Sequence, residues 1–260
     1  MRVRTKMTRL STVVSVGMVL AATAVAGTIP AGYTCNGTCG TLGADGVVTL
    51  SPYGSSAYMY ISTDAGVSAV GQLPTGALGS ETNGSDLVSP IFSANAGDLL
   101  KFYFNYVTSD GSGYADYAWA AVGDPSLTSV QYLVTARTQP SGSIIPGFGM
   151  PGVSSTLLPP SVPIIGPGPS WSPLDGSSGA CYAAGCGYTG WVLAEYTIPA
   201  AGNYVLAFGT VNWLDTIYDS GLAIDGATIA GQPIGEVPEP ATFALLGLGL
   251  SALAIFARRR

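Results

Sequence analysis

The 260-residue chain contains no histidine. That excludes a Ser-His-Asp triad, a Cys-His pair, a His-ligated zinc and a haem on a proximal His within this chain. Charge is scarce as well, at 9% of residues. Arg2, Arg4, Lys6 and Arg9 lie in the first nine positions and Arg258, Arg259 and Arg260 are the last three, which leaves only Lys101 and Arg137 between them. Thirteen of the 15 acids fall in 27–235, so that stretch carries a net charge of −11. Nucleic-acid phosphates need Lys/Arg neutralisation, so no nucleic-acid partner is expected. Glutamate is also sparse, with Glu81 and Glu195 alone before the tail. Glycoside hydrolysis requires two carboxylates facing each other across a cleft, and nothing marks such a pair. With no catalytic constellation in view, the expectation is a non-enzymatic protein, and a surface glycan hydrolase is the alternative.

The two ends read as addresses. A basic segment, Arg2–Arg9, is followed by an apolar stretch from Leu10 to Val25 and by Ala24-Val25-Ala26, the A-x-A pattern of signal peptidase. Residues 1–26 are therefore expected to be a secretory signal helix, removed on export. At the other end, Val237-Pro238-Glu239-Pro240 precedes an uncharged run, 241–257, and then Arg258-Arg259-Arg260. At 1.5 Å per residue the run reaches about 25 Å, enough to cross a bilayer as one transmembrane helix. The prolines prevent the helix from extending backward, and the triple Arg acts as a cytoplasmic stop. This segment, 237–260, resembles the PEP-CTERM sorting signal of Gram-negative bacteria. The resemblance implies a membrane-anchored precursor and recognition of Pro238, Glu239 and Pro240 by an exosortase. It also implies a place on the cell surface or in the extracellular matrix of an exopolysaccharide-producing, biofilm-forming cell.

The four cysteines form two close pairs, Cys35 with Cys39 and Cys181 with Cys186. In an oxidising compartment even counts read as disulfides. Pairing within each close pair is the preferred connectivity of three. Such small loops pin loop shape more than global stability. A four-thiolate zinc site is the alternative, and it needs the two distant pairs to converge.

Between the ends, 27–236 is expected to be a single all-β domain. Short β-branched and aromatic runs alternate with Gly/Ser/Asn/Asp clusters, giving strands at 47–52, 57–62, 66–72, 87–92, 98–107, 115–122, 127–135, 191–198, 203–213 and 221–229. The clearest is 98–107, with Leu100, Phe102, Phe104 and Tyr106 on one face. Many short strands separated by turns predict an antiparallel β-sandwich. Residues 138–190 interrupt it as a Pro/Gly-rich insertion, with nine of the 18 prolines between Pro140 and Pro173. Thr197 to Gly226 resembles the closing strands of secreted PEP-CTERM proteins with a jelly-roll body.

Two features suggest ligands. Asp215, Asp219 and Asp225 lie within eleven residues of one another, and oxygen ligands of this kind suit a structural calcium. Asp110 and Asp116 flank a second acidic, glycine-rich turn. The chain has 14 Tyr and 4 Trp, and rings of this kind can stack on sugars. Trp119, Trp171, Trp191 and Trp213 are the candidates, Trp171 above all because it lies in the insertion. The expected role is an adhesion or exopolysaccharide-associated module, either binding, with exopolysaccharide as the partner, or purely structural.

Overall fold

A computed structural model describes residues 27–235. The expected signal helix, the sorting motif, the transmembrane helix and the terminal Arg cluster lie outside the described residues. Among those described, no helix is long and apolar enough to cross a membrane.

Fifteen strands and one 3-10 segment, Ser172–Ser177, organise the described residues. In chain order the strands are β1 Thr34–Asn36, β2 Thr38–Leu42, β3 Tyr58–Ser62, β4 Val67–Ser68, β5 Glu81–Val88, β6 Phe92–Ala94, β7 Leu99–Thr108 and β8 Tyr117–Gly123. They continue with β9 Val130–Arg137, β10 Thr156–Leu158, β11 Gly187–Tyr188, β12 Val192–Thr197, β13 Gly202–Trp213, β14 Ser220–Ile229 and β15 Gln232–Pro233. One sheet runs β1-β5-β13-β8-β9, with β4 beside β5 and β6 beside β13. The other runs β10-β12-β7-β14-β3-β2, with β11 on β7 and β15 on β14. The ladders are antiparallel. The result is the expected β-sandwich, and strands from both sides of the insertion share each sheet.

The core lies between the sheets. Leu100, Phe102, Phe104 and Tyr106 of β7 are fully buried, as period-2 alternation predicts. They pack with Ile61, Leu222 and Ile224 of their own sheet against Leu87, Ala120, Leu133 and Phe208 of the other.

The outer faces are covered too. Trp171 and Leu174 of the insertion pack with Tyr58, Tyr60, Val107 and Ala223 on the outside of the second sheet. Leu73 and Leu78 cover Tyr117, Trp119 and Ala207 on the outside of the first. Trp171, expected at the surface, is fully buried. Its indole Nε1 donates to the Tyr58 hydroxyl at 3.0 Å and its ring meets Tyr60 edge-on at 6.0 Å. The insertion is thus a third layer over one sheet.

Both disulfides pair as expected, Cys35–Cys39 and Cys181–Cys186, and this excludes the four-thiolate zinc site. The first does more than shape a loop. Cys35 lies in β1 of one sheet and Cys39 in β2 of the other, so the bond fastens the sheets where the chain crosses between them. Gly37 makes the crossing at φ 99°, and a Cβ there would stand 2.3 Å from the Ser85 hydroxyl. The position therefore demands glycine.

Candidate functional site

Three connections meet at one end of the sandwich: 109–116 between β7 and β8, 214–219 between β13 and β14, and the start of the insertion after β9. The strands deliver them together because Tyr117 pairs with both Val211 and Arg137, and Ser220 pairs with Thr108.

Buried acids hold this end together. Asp116 is fully buried; it accepts the Trp213 backbone N–H at 2.8 Å and the Ser220 hydroxyl at 2.6 Å. Its carbonyl accepts the Tyr106 hydroxyl at 3.0 Å. Asp219 accepts the hydroxyls of Thr63 and Ser177 at 3.0 and 2.9 Å, and its carbonyl takes both the N–H and the hydroxyl of Ser109. One Asp110 carboxyl oxygen accepts the Gly111 N–H at 2.6 Å, whereas the other, Oδ2, is buried without a partner. Burial pushes the Asp110 carboxyl up to about 7; the Gly111 N–H opposes the rise, and Asp215 and Asp219 add to it. Burial, with Asp110 beside it, likewise drives Asp116 well above the usual carboxylate range.

Above these acids the surface is aromatic. Tyr114 meets Tyr182 edge-on at 5.2 Å, and Tyr182 meets Tyr218 at 5.3 Å. Tyr182 is 48% exposed, Leu214 53%, Ile217 60% and Phe148 75%. Leu214 and Tyr218 adopt positive φ, 74° and 61°, a backbone conformation that side-chain-bearing residues rarely hold. The β13–β14 turn is therefore held in a costly conformation that places apolar side chains in solvent. The loop closed by Cys181–Cys186 docks here as well, through the Tyr182 N–H on Ser109 O and the Ser112 N–H on Ala184 O.

Beside the tyrosines lies a cleft of about 500 Å³, lined among others by Ser112, Arg137, Gln139, Phe148 and Trp213. Arg137 is 7% exposed. Its guanidinium stacks 4.2 Å from the Trp213 ring centre. Nε donates to Ala115 O at 3.0 Å and Nη1 to Phe148 O at 3.1 Å. A second cleft, of about 390 Å³, lies on the flank near Tyr53 and Asp225. There the carboxylate is occupied by the hydroxyls of Ser51 and Ser55 and by the Gly226 N–H. It fastens a loop rather than facing open space.

The structure does not assemble the expected calcium site. Asp215 and Asp219 belong to the loop end, but Asp225 stands opposite Tyr103 within β14. Six residues of extended strand place it about 20 Å from Asp219. Among the described residues, no three His, Cys, Asp or Glu are grouped to hold a metal ion. The two glutamates are likewise separated. Glu81 pairs with Trp213 at the loop end of one sheet, while Glu195 pairs with Lys101 in the other and bridges its Nζ at 2.6 Å. Of the four tryptophans, Trp213 alone lines the cleft. Trp119 is buried and donates to Gly71 O, Trp171 is buried under the insertion, and Trp191 is half-buried with its Nε1 on Thr49 O. Arg137 and Phe148 had not been singled out in the sequence. The one signal for Arg137 was its rarity, as one of two cations between the ends.

Residues 236–260 match the PEP-CTERM protein-sorting motif. Among curated proteins nothing matches the chain. Among solved structures, the chain is similar to the K1 cleaved adhesin domain of Lys-gingipain from Porphyromonas gingivalis W83. That match has 14% identity, covers 80% of this chain and 100% of the other, and has a TM-score of 0.33. It is also similar to a carbohydrate-binding module of the β-sandwich superfamily, with 10% identity over 78% of this chain and 62% of the other and a TM-score of 0.31. Likeness at this level extends to neither ligand nor activity.

Proposed function

We propose that this chain is an exported cell-surface or extracellular-matrix protein of a Gram-negative bacterium that binds exopolysaccharide through the loop end of its sandwich. Signal peptidase removes 1–26. The C-terminal helix holds the precursor in the membrane until an exosortase acts at Pro238-Glu239-Pro240. The body, 27–236, then works outside as one domain. The match to a sorting motif over 236–260 supports the route.

One observation carries the binding half. The loop end gathers exposed aromatic side chains, Phe148 and Tyr182 among them, around an Arg-containing cleft. Flat apolar faces bordered by a few polar groups suit sugar rings, which present C–H faces and peripheral hydroxyls. Glu81 and Glu195 lie in different sheets, so those two glutamates do not form the facing carboxylate pair that glycoside hydrolysis needs.

Retention of the mature protein on exopolysaccharide from the producing cell tests this reading. The wild type is expected to be retained. The double variant Phe148→Ala/Tyr182→Ala is expected to lose between about fivefold and about 150-fold in affinity, since two stacking contacts at roughly 0.5–1.5 kcal/mol each amount to about 1–3 kcal/mol. Phe148 is 75% exposed, so Phe148→Ala alone should leave the thermal transition in place, whereas Tyr182→Ala also removes the ring contacts with Tyr114 and Tyr218 and should lower it by a few degrees. A wild type that is not retained, or a double variant retained equally, would contradict the reading.

A further inference from the structure

Arg137 has a property that saccharide binding alone does not require. The stretch 27–235 contains two cations, and Lys101 is paired with Glu195 at 2.6 Å. Arg137 is almost fully buried, yet no carboxylate reaches it within bridging distance among the described residues. The acids nearest in electrostatic terms are Glu81 and Asp116. Both are already occupied. Glu81 accepts the N–H groups of Leu78 and Gly79 and the Tyr117 hydroxyl, and Asp116 accepts Trp213 N–H and Ser220 Oγ. A guanidinium carries five N–H donors in a planar fork. Two are used here, on Ala115 O and Phe148 O. The other three meet no acceptor among the described residues, and the side chain lines the cleft. A buried cation without an anion is costly unless something supplies the missing charge.

We propose that the cleft at Arg137 takes a carboxylated sugar, a uronic acid unit of a polysaccharide. Its carboxylate binds the open edge of the guanidinium while its ring lies against Phe148. This rests on the saccharide-binding reading above and narrows it to an anionic class. Planar carboxylate and planar guanidinium match in a bidentate pair. The bonds to Ala115 O and Phe148 O fix the plane of the fork, and the Trp213 ring centre lies 4.2 Å from its central carbon. A cleft of about 500 Å³ lies within the usual range for small-ligand sites. Gln139 and Ser112 on its wall offer partners to ring hydroxyls. The net charge of −11 over 27–235 opposes any diffuse attraction to a polyanion. Recognition must therefore come from this one site.

The test alters the ligand, because Arg137 also fastens two loops and its replacement may disturb the fold. Exopolysaccharide is compared before and after chemical reduction of its carboxyl groups to alcohols, with free glucuronate and glucose as competitors. The wild-type mature protein is used throughout. Reduction is expected to weaken retention about tenfold, a charge-assisted pair contributing more than a neutral one. Glucuronate is expected to compete and glucose not. Equal retention on the reduced polymer, or equal competition by the two sugars, would overturn the proposal and leave saccharide binding standing. Failure of the untreated polymer to retain the protein would overturn both.

Discussion

Asp110 makes the loop end sensitive to pH. Its Oδ2 is buried without a partner, and Asp116, Asp215 and Asp219 are the acids around it. In the unfolded chain the carboxyl ionises near its ordinary value, about 3.9. In the fold ionisation waits until about 7. Between these values the native state holds a proton that the unfolded state has lost, so stability falls as pH rises through the window, and the full penalty is present above it. Asp110→Asn removes the ionisation. It should raise Tm at about pH 8 by roughly 2–4 °C or more and change it little near pH 4. Thermal scans at both pH values check this. An equal change at the two would show that the carboxyl is not held protonated. Arg137 presents the opposite case. As a letter in the sequence it was merely one of two cations in the body. Its meaning comes from partners far along the chain that only the fold brings close: Ala115, Phe148 and Trp213.

The insertion, 138–190, behaves as a structural element in its own right. Its prolines rightly exclude a central strand, but they do not make it a spacer. It lays Trp171 and Leu174 against Tyr58 and Tyr60 and adds the short strands β10 and β11 to the second sheet. Trp171→Ala should therefore destabilise the protein by about 3–5 kcal/mol, as for other large buried aromatics. Denaturant unfolding measures this, and a cost below about 1 kcal/mol would show that the layer is loosely held. Strand β7 was legible because Leu100, Phe102, Phe104 and Tyr106 recur at every second position and point inward, although its last residues, 104–108, are buried on both faces. Strands β1 and β2 were not, because Gly37, Thr38 and Gly40 supply little hydrophobic signal and the strands are fixed by pairing with β5 and β3. The run 47–52 reads as a strand but is not one. Val47 gives its N–H to Ser170 of the insertion instead of to a ladder, a tertiary override of local propensity. The site was legible only in part. Trp213 stood among the candidate rings, whereas Asp225 looked close to Asp219 in sequence and is carried away by the rise of β14.

For the whole molecule, charge and hydropathy are divided by segment. Basic and apolar residues are concentrated at the two ends, and the sandwich between them is strongly acidic. Such a body resists aggregation and nucleic-acid binding, and its aromatic loop end is the surface proposed to meet a partner. That division makes sense if the ends are used in export and then removed, leaving the acidic sandwich to work outside the cell. The intact mass of the protein recovered from the surface or medium of the producing cells tests this most directly. A mass lacking 1–26 and the segment following Pro240, including Arg258–Arg260, is predicted. A mass that still includes the apolar run 241–257 and the three terminal arginines would contradict it.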